Sequence, residues 1–158
     1  ADMRVLEDVP TTDAVTLFSD SLCYLTDFED IVSVFEAVYD HLEEGGIFLF
    51  DVHSLYQMQE VFPGYQYHFV EDDFAFLWQS YELDEPGSVE HVIDMYIKQE
   101  EGNLYEHFQE VHEEQTFPIE MYEAALEMVG FTNIKVKADF GQSEVQETSP
   151  RWFFQAVK

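Results

Sequence analysis

Two short apolar runs in this chain each end in a polar cluster able to hold or move a proton. Asp20 and Ser21 follow Ala14–Phe18, and Asp51, His53 and Ser54 close and follow Ile47–Val52. An imidazole titrates near neutrality, so His53 can take a proton from a nucleophile. Asp20 is the second candidate for proton transfer. Plainer roles fit the same residues: His53 as a structural residue at a strand exit, Asp20-Ser21 as a turn. Tyr56 either lines an acceptor pocket or packs.

Two further groups invite chemistry. His107 and His112 sit among Glu106, Glu110, Glu113 and Glu114, which reads at first as a metal site. Five positions is an odd step, so on a strand the two histidines face opposite ways. On a helix the same step turns about 500°, again a poor match. No metal is expected. Tyr65, Tyr67, Phe69, Phe74, Phe76, Trp78 and Tyr81 can form either a cage for a cationic amine or the core of a sheet.

The elements that must position these groups follow from periodicity. Ala14–Phe18 reads as a strand buried on both faces. Ile31, Val34, Phe35, Val38 and Leu42 recur at helical spacing, predicting a helix over Phe28–Leu42. Asp27 is its cap and Asp30 a partial capping box, while Gly45 and Gly46 stop it. Ile47–Val52 is a second buried strand, which makes a parallel strand–helix–strand crossover with the first. A short helix within His53–Phe62 ends at Pro63-Gly64. Gln66–Leu83, Val89–Gln99 and Asn103–Thr116 then predict a three-stranded antiparallel meander, with turns at Glu85–Ser88 and Glu100–Asn103. Trp78, Tyr81, Val92, Tyr96, Tyr105 and Phe108 are its candidate packing face. A helix over Pro118–Val129 and strands over Phe131–Ala138 and Trp152–Val157 complete the chain, the last two as an antiparallel pair at the sheet edge. In an open α/β sheet, ligands bind beyond the carboxyl ends of the parallel strands. Phe18–Ser21 and Asp51–Ser54 therefore border one expected crevice.

Composition sets the outer limits. The 158 residues suffice for one domain with a core, and 46% apolar content excludes disorder. With 34 acidic and 6 basic residues the net charge is −28, so a phosphate polymer is repelled and nucleic acid is not an expected partner. No apolar run reaches the length of a membrane span, so no membrane partner is expected. A single cysteine, Cys23, excludes an internal disulfide and fits a cytoplasmic setting.

The ordered set ADMR, DAVTLFSDSLCYL, HLEEGGIFLFDVHS and the closing RWFFQAVK resembles the C-terminal half to two-thirds of a class I S-adenosylmethionine-dependent methyltransferase. WQSYELDE, DMYIKQEEGNLYEHFQEVHEEQTF and GFTNIKV fall where small bacterial members insert an antiparallel sheet. The resemblance implies the second half of a doubly wound Rossmann-like sheet over residues 1–62 and 117–158, with an inserted sheet over 63–116 acting as lid and substrate region. It implies S-adenosylmethionine as cofactor. Asp2 and Met3 would face adenine, and Phe18, Ser19, Asp20 and Ser21 would line the methionine end. The acceptor would be a small molecule, taking methyl on oxygen or nitrogen, with Asp51, His53, Ser54, Tyr56, Trp78 and Tyr81 as candidate contacts.

One departure is large. The chain contains no G-x-G turn of the kind that holds the cofactor in that family. The expectation is a piece of a longer enzyme, inactive alone, with the strand at Ala14–Phe18 covered by a missing N-terminal half or by a second copy. A non-catalytic acidic binding module is the alternative. Another α/β enzyme, of the NAD or nucleotide-sugar kind, fits the antiparallel last hairpin less well.

Overall fold

A computed structural model describes residues 2–6, 9–100 and 104–158. Ala1, the acids Glu7 and Asp8, and residues 101–103 of the turn expected at Glu100–Asn103 lie outside the described residues.

Two sheets organise the fold. The first runs β1 (Thr12–Leu17), β2 (Leu42–His53), β8 (Arg151–Val157), β7 (Thr132–Lys137). β1 and β2 pair parallel, and β8 runs antiparallel to both β2 and β7. The parallel crossover and the antiparallel edge hairpin are as the sequence predicts. The second sheet is an antiparallel meander of β3 (Gln66–Val70), β4 (Phe74–Glu82), β5 (Ser88–Lys98) and β6 (Tyr105–Gln115). It has four strands rather than three. The segment read as one strand, Gln66–Leu83, turns back on itself at Glu71–Asp73, where Glu71 N–H donates to the Phe74 carbonyl. That turn contains neither Gly nor Pro, the residues that usually mark such a reversal.

Helix α1 (Phe28–His41) buries Ile31, Val34, Phe35 and Val38. Asp27 caps it by accepting from Glu29 N–H at 3.0 Å. Asp30 does not complete a capping box, because its carboxylate is taken by Arg4 at 2.8 Å. The double glycine does not stop the helix either. Leu42 already lies in β2, and residues 43–46 bulge out between the pairs Thr12↔Leu42 and Ala14↔Ile47. Gly45, at φ 79°, supplies the left-handed residue of that bulge, and its N–H donates to the carbonyl of Lys158. The helix end is held instead by Lys158, whose ammonium donates to the carbonyls of Tyr39 and Leu42. A cation there complements the negative end of the helix dipole.

α2 (Ile119–Val129) packs beside α1 on the same sheet face, with Gly130 as its left-handed cap. Between helices and sheet lie Phe35, Phe48, Phe50, Tyr122 and Phe154, all essentially buried. Phe50 and Phe154 stack at 4.6 Å across the β2–β8 pair. Each such ring contributes about 1.5–3 kcal/mol through burial. The opposite face is barer: Ile47, Phe18 and Phe140 are exposed. β1 is the edge strand, and Ala14 and Thr16 are exposed, so it is not buried on both faces as its sequence suggests. An apolar run reports what can be buried. Burial itself needs a neighbour, and β1 has one on one side only.

The meander is packed only near its lower end. Met58, Phe62, Val89 and Trp78 form a small second core there. Tyr81, Tyr105 and Phe108, expected to pack, are exposed, because no layer covers that part of the sheet among the described residues. Met58 and Phe62 come from the segment holding a π-helical turn, Gln57–Val61, which follows β2 and leads into the Pro63-Gly64 turn.

Candidate functional site

The first sheet delivers three of the expected residues to one place. β1 ends at Leu17, and the chain reverses through Ser19 (φ 62°) and Asp20 (φ 51°). Two consecutive left-handed residues that are not glycine cost energy, and such strain concentrates at functional sites. Asp51, on β2, holds this turn: its carboxylate accepts from Asp20 N–H at 3.1 Å. Arg151 opens β8 directly opposite His53 and bridges Asp51 and Asp20, the latter at 2.7 Å. Burial alone would raise the Asp20 carboxyl. His53 and Arg151 outweigh it and hold Asp20 below its usual range.

His53 presents Nε2 to Asp20 at 3.3 Å and to Glu114 at 3.8 Å. Both carboxylates meet the same ring nitrogen. The arrangement is therefore not a relay through the two sides of an imidazole, but one proton position shared among three groups. His53 Nδ1 is buried without a partner.

Glu114 arrives from β6 of the second sheet and is 4% exposed, with one oxygen lacking any hydrogen-bond partner. Burial pushes its carboxyl up and the Asp20 charge pushes the same way, while His53 pulls against them. His91, also on the second sheet, points Nε2 at Glu114 from 4.0 Å. Its Nδ1 accepts from Trp78 Nε1–H at 3.1 Å and lies 2.7 Å from Ser80 Oγ. An indole N–H can only donate, so His91 Nδ1 carries a lone pair and the proton of the neutral ring sits on Nε2. Burial holds His91 down at about 4.

These groups enclose a cavity of about 210 Å³. Its polar floor is Asp20, His53 and Glu114, and its walls are Tyr24, Phe62, Phe76 and Trp78. The same floor offers one histidine nitrogen and two carboxylate oxygens within 4.8 Å of one another, a set that could hold a cation. The histidines singled out by spacing do not join it together. His112 lines the cavity, edge-on to Tyr24, whereas His107 lies on the opposite face of β6, stacked on Tyr96.

The remaining candidates are dispersed. Ser54 is buried and caps the π-helical turn by accepting from Gln57 N–H. Ser21 Oγ donates to the Phe18 carbonyl, closing the turn after β1. Tyr56 is half-buried outside the cavity, and Tyr81 is exposed. Phe18 is exposed beside a second cavity with Phe140 and Phe153. Asp2 is exposed and gripped by Arg4, which holds its carboxyl down at about 2. Met3 packs on the main core. Sequence reasoning missed Arg151, His91 and Tyr24, and set Glu114 aside in a wet acidic face. The available signal for Glu114 was its even-numbered spacing from His112, which puts both on one face of β6.

A parallel strand pair is continued by an antiparallel hairpin, with a meander inserted after the second strand and a polar cavity between them. A crystallised S-adenosylmethionine-dependent methyltransferase of Clostridium acetobutylicum ATCC 824 superposes with a TM-score of 0.86 at 26% identity, over 99% of this chain and 62% of that one. In sequence, the chain is 36% identical over 157 residues to a protein of Geobacillus sp. (strain WCH70), and 39% identical over 146 residues to YqeM of Bacillus subtilis (strain 168). Both are provisionally named methyltransferases. The chain spans 63% and 58% of their lengths. No protein-family model matches it. By sequence and by fold, the chain is related to the class I S-adenosylmethionine-dependent methyltransferases.

Proposed function

We propose that this chain forms part of an S-adenosylmethionine-dependent methyltransferase that moves a methyl group to an oxygen or nitrogen of a small molecule. The observation that carries the reading is the Asp20–His53–Glu114 trio, set at the carboxyl ends of two parallel strands and roofed by the inserted sheet. The kinship with methyltransferases supports it. When bound, the cofactor supplies a methyl activated on a positively charged sulfur. The residues present fit part of it. Arg151 bridges Asp20 and Asp51, and Glu114 beside His53 adds a third carboxylate, an excess of negative charge that suits a sulfonium. Asp2, expected against adenine, already accepts four hydrogen bonds from Arg4, and of Phe18–Ser21 Asp20 alone lines the cavity. The chain has no glycine turn for the amino-acid end.

In this reading the protein aligns the acceptor, excludes water with Phe62, Phe76 and Trp78, and gives the acceptor proton to the Asp20–His53 pair. β1 is an open edge, which proteins avoid leaving bare, so the rest of a longer polypeptide or a second copy covers it.

The test is release of S-adenosylhomocysteine by the protein expressed from its whole reading frame, given mixed small amines and alcohols. Acceptor-dependent release is expected. Small-molecule binding without any release would favour the second reading, a non-catalytic acidic binding module.

A further inference from the structure

The cavity holds an unpaid electrostatic debt. Glu114 lines the cavity and is 4% exposed, and one of its oxygens is buried with no hydrogen-bond partner. Leaving a buried carboxylate oxygen unpartnered costs more than the typical net gain of a hydrogen bond. The nearby donors do not resolve it: the Tyr24 hydroxyl pulls the Glu114 carboxyl down, yet this oxygen still has no hydrogen-bond partner. His91 Nε2 stands off at 4.0 Å, and His53 Nε2 at 3.8 Å is shared with Asp20. Arg151 is already spent on Asp51 and Asp20. The missing partner must be a donor, it must enter from the cavity, and positive charge improves it.

The walls narrow the choice. Tyr24, Phe62, Phe76 and Trp78 surround the acidic floor. Aromatic faces attract a cation and a carboxylate completes its binding, whereas a neutral hydroxyl gains little from the rings. A bare divalent ion prefers oxygen and water around it to four aromatic rings. A metal-bound histidine also usually donates its second nitrogen to a partner, and His53 Nδ1 has none.

We infer that this cavity is a binding site for a protonated primary or secondary amine, seated with its ammonium on Glu114 and its carbon body against the aromatic walls, and that this amine is the methyl acceptor. The inference rests on the methyltransferase reading for its last clause only. The ammonium must first lose one proton, which goes to the Asp20–His53 pair. The freed nitrogen lone pair then forms the N–CH3 bond as the donor's S–CH3 bond breaks, leaving a neutral thioether and a methylated ammonium.

Phenethylamine and 2-phenylethanol, alike in shape and different in charge, are the probes. Saturation-transfer NMR and calorimetry on the whole protein measure binding without turnover. The amine is expected to bind and the alcohol to bind much more weakly. Glu114→Gln is expected to weaken the amine by roughly thirtyfold or more, with Glu114→Asp recovering part of it. Tyr24 is half exposed, so Tyr24→Leu keeps the fold and is expected to cost the amine roughly two- to fivefold. Equal binding of alcohol and amine, or an amine indifferent to both Glu114→Gln and Tyr24→Leu, overturns the inference. So does tight Mn²⁺ binding that requires Asp20 and Glu114 and displaces the amine. Methyl transfer to alcohols alone would overturn the amine and leave the methyltransferase standing. Amine binding with no transfer at all would do the reverse.

Discussion

At the scale of residues, the chemistry turns on which nitrogen of which histidine carries a proton. His91 is held down at about 4 against an ordinary value of 6.5, because burial disfavours its charged form. Between those values the unfolded chain binds a proton that the native chain refuses, so stability falls as pH drops from 6.5 toward 4. Thermal melts across that range should show the decline, and His91→Gln should flatten it. His53 lines the cavity and faces two carboxylates. His53→Ala should lower the rate of transfer by about a hundredfold or more, as kinetics would show, and should also lower the melting temperature, because the buried ring packs on Phe62 and faces two carboxylates. His53, Asp51 and Asp20 were legible because they end strands, and strand ends are visible as apolar runs with polar exits. Arg151 and His91 were not. Arg151 reaches the site only through its antiparallel register with His53, and His91 only through the folding of the second sheet.

At the scale of elements, the clearest signals were local ones. The α1 period, the Asp27 cap and the Gly130 stop all lie in contiguous sequence. Asp27→Ala should cost about 1 kcal/mol by denaturant unfolding, the worth of one N-cap. The double glycine misled because Gly-Gly after a helical period looks the same whether it caps a helix or kinks a strand. Here it kinks β2. Gly87 is the glycine with the most to lose. It sits at φ +77°, and a Cβ there would lie 2.6 Å from the Thr116 carbonyl oxygen. Thr116 in turn donates its hydroxyl to the His53 carbonyl at 2.7 Å. Gly87→Ala should therefore destabilise the protein by more than about 1 kcal/mol and also disturb the position of Glu114, two residues from Thr116. Unfolding curves and amine affinity would register the two effects separately.

At the scale of the whole molecule, charge and exposed surface dominate. A net charge of −28 means that like charges repel over much of the surface. Melting temperature should rise as sodium chloride is raised from low to near-physiological strength and beyond, by screening; a flat or falling response would show that the repulsion is relieved in some other way. The sheet face opposite the helices bears Phe18 and Phe140 exposed, beside the open edge of β1. The parallel crossover and the closing antiparallel hairpin were legible from the order of elements, since strand, helix, strand and a final hairpin have few ways to fold, whereas the second layer of a doubly wound sheet is absent among the described residues, both helices lying on one face. The uncovered edge and face were legible only as a consequence of that architecture.

The central claim is that acceptor chemistry takes place over His53 and Asp20. Mass spectrometry of the acceptor after incubation with S-adenosylmethionine carrying an isotopically labelled methyl group tests it most directly. The account predicts a labelled product formed one-for-one with S-adenosylhomocysteine and nearly lost in His53→Ala and Asp20→Asn. Undiminished product from both variants, or none from the parent protein with donor and acceptor both bound, would contradict it.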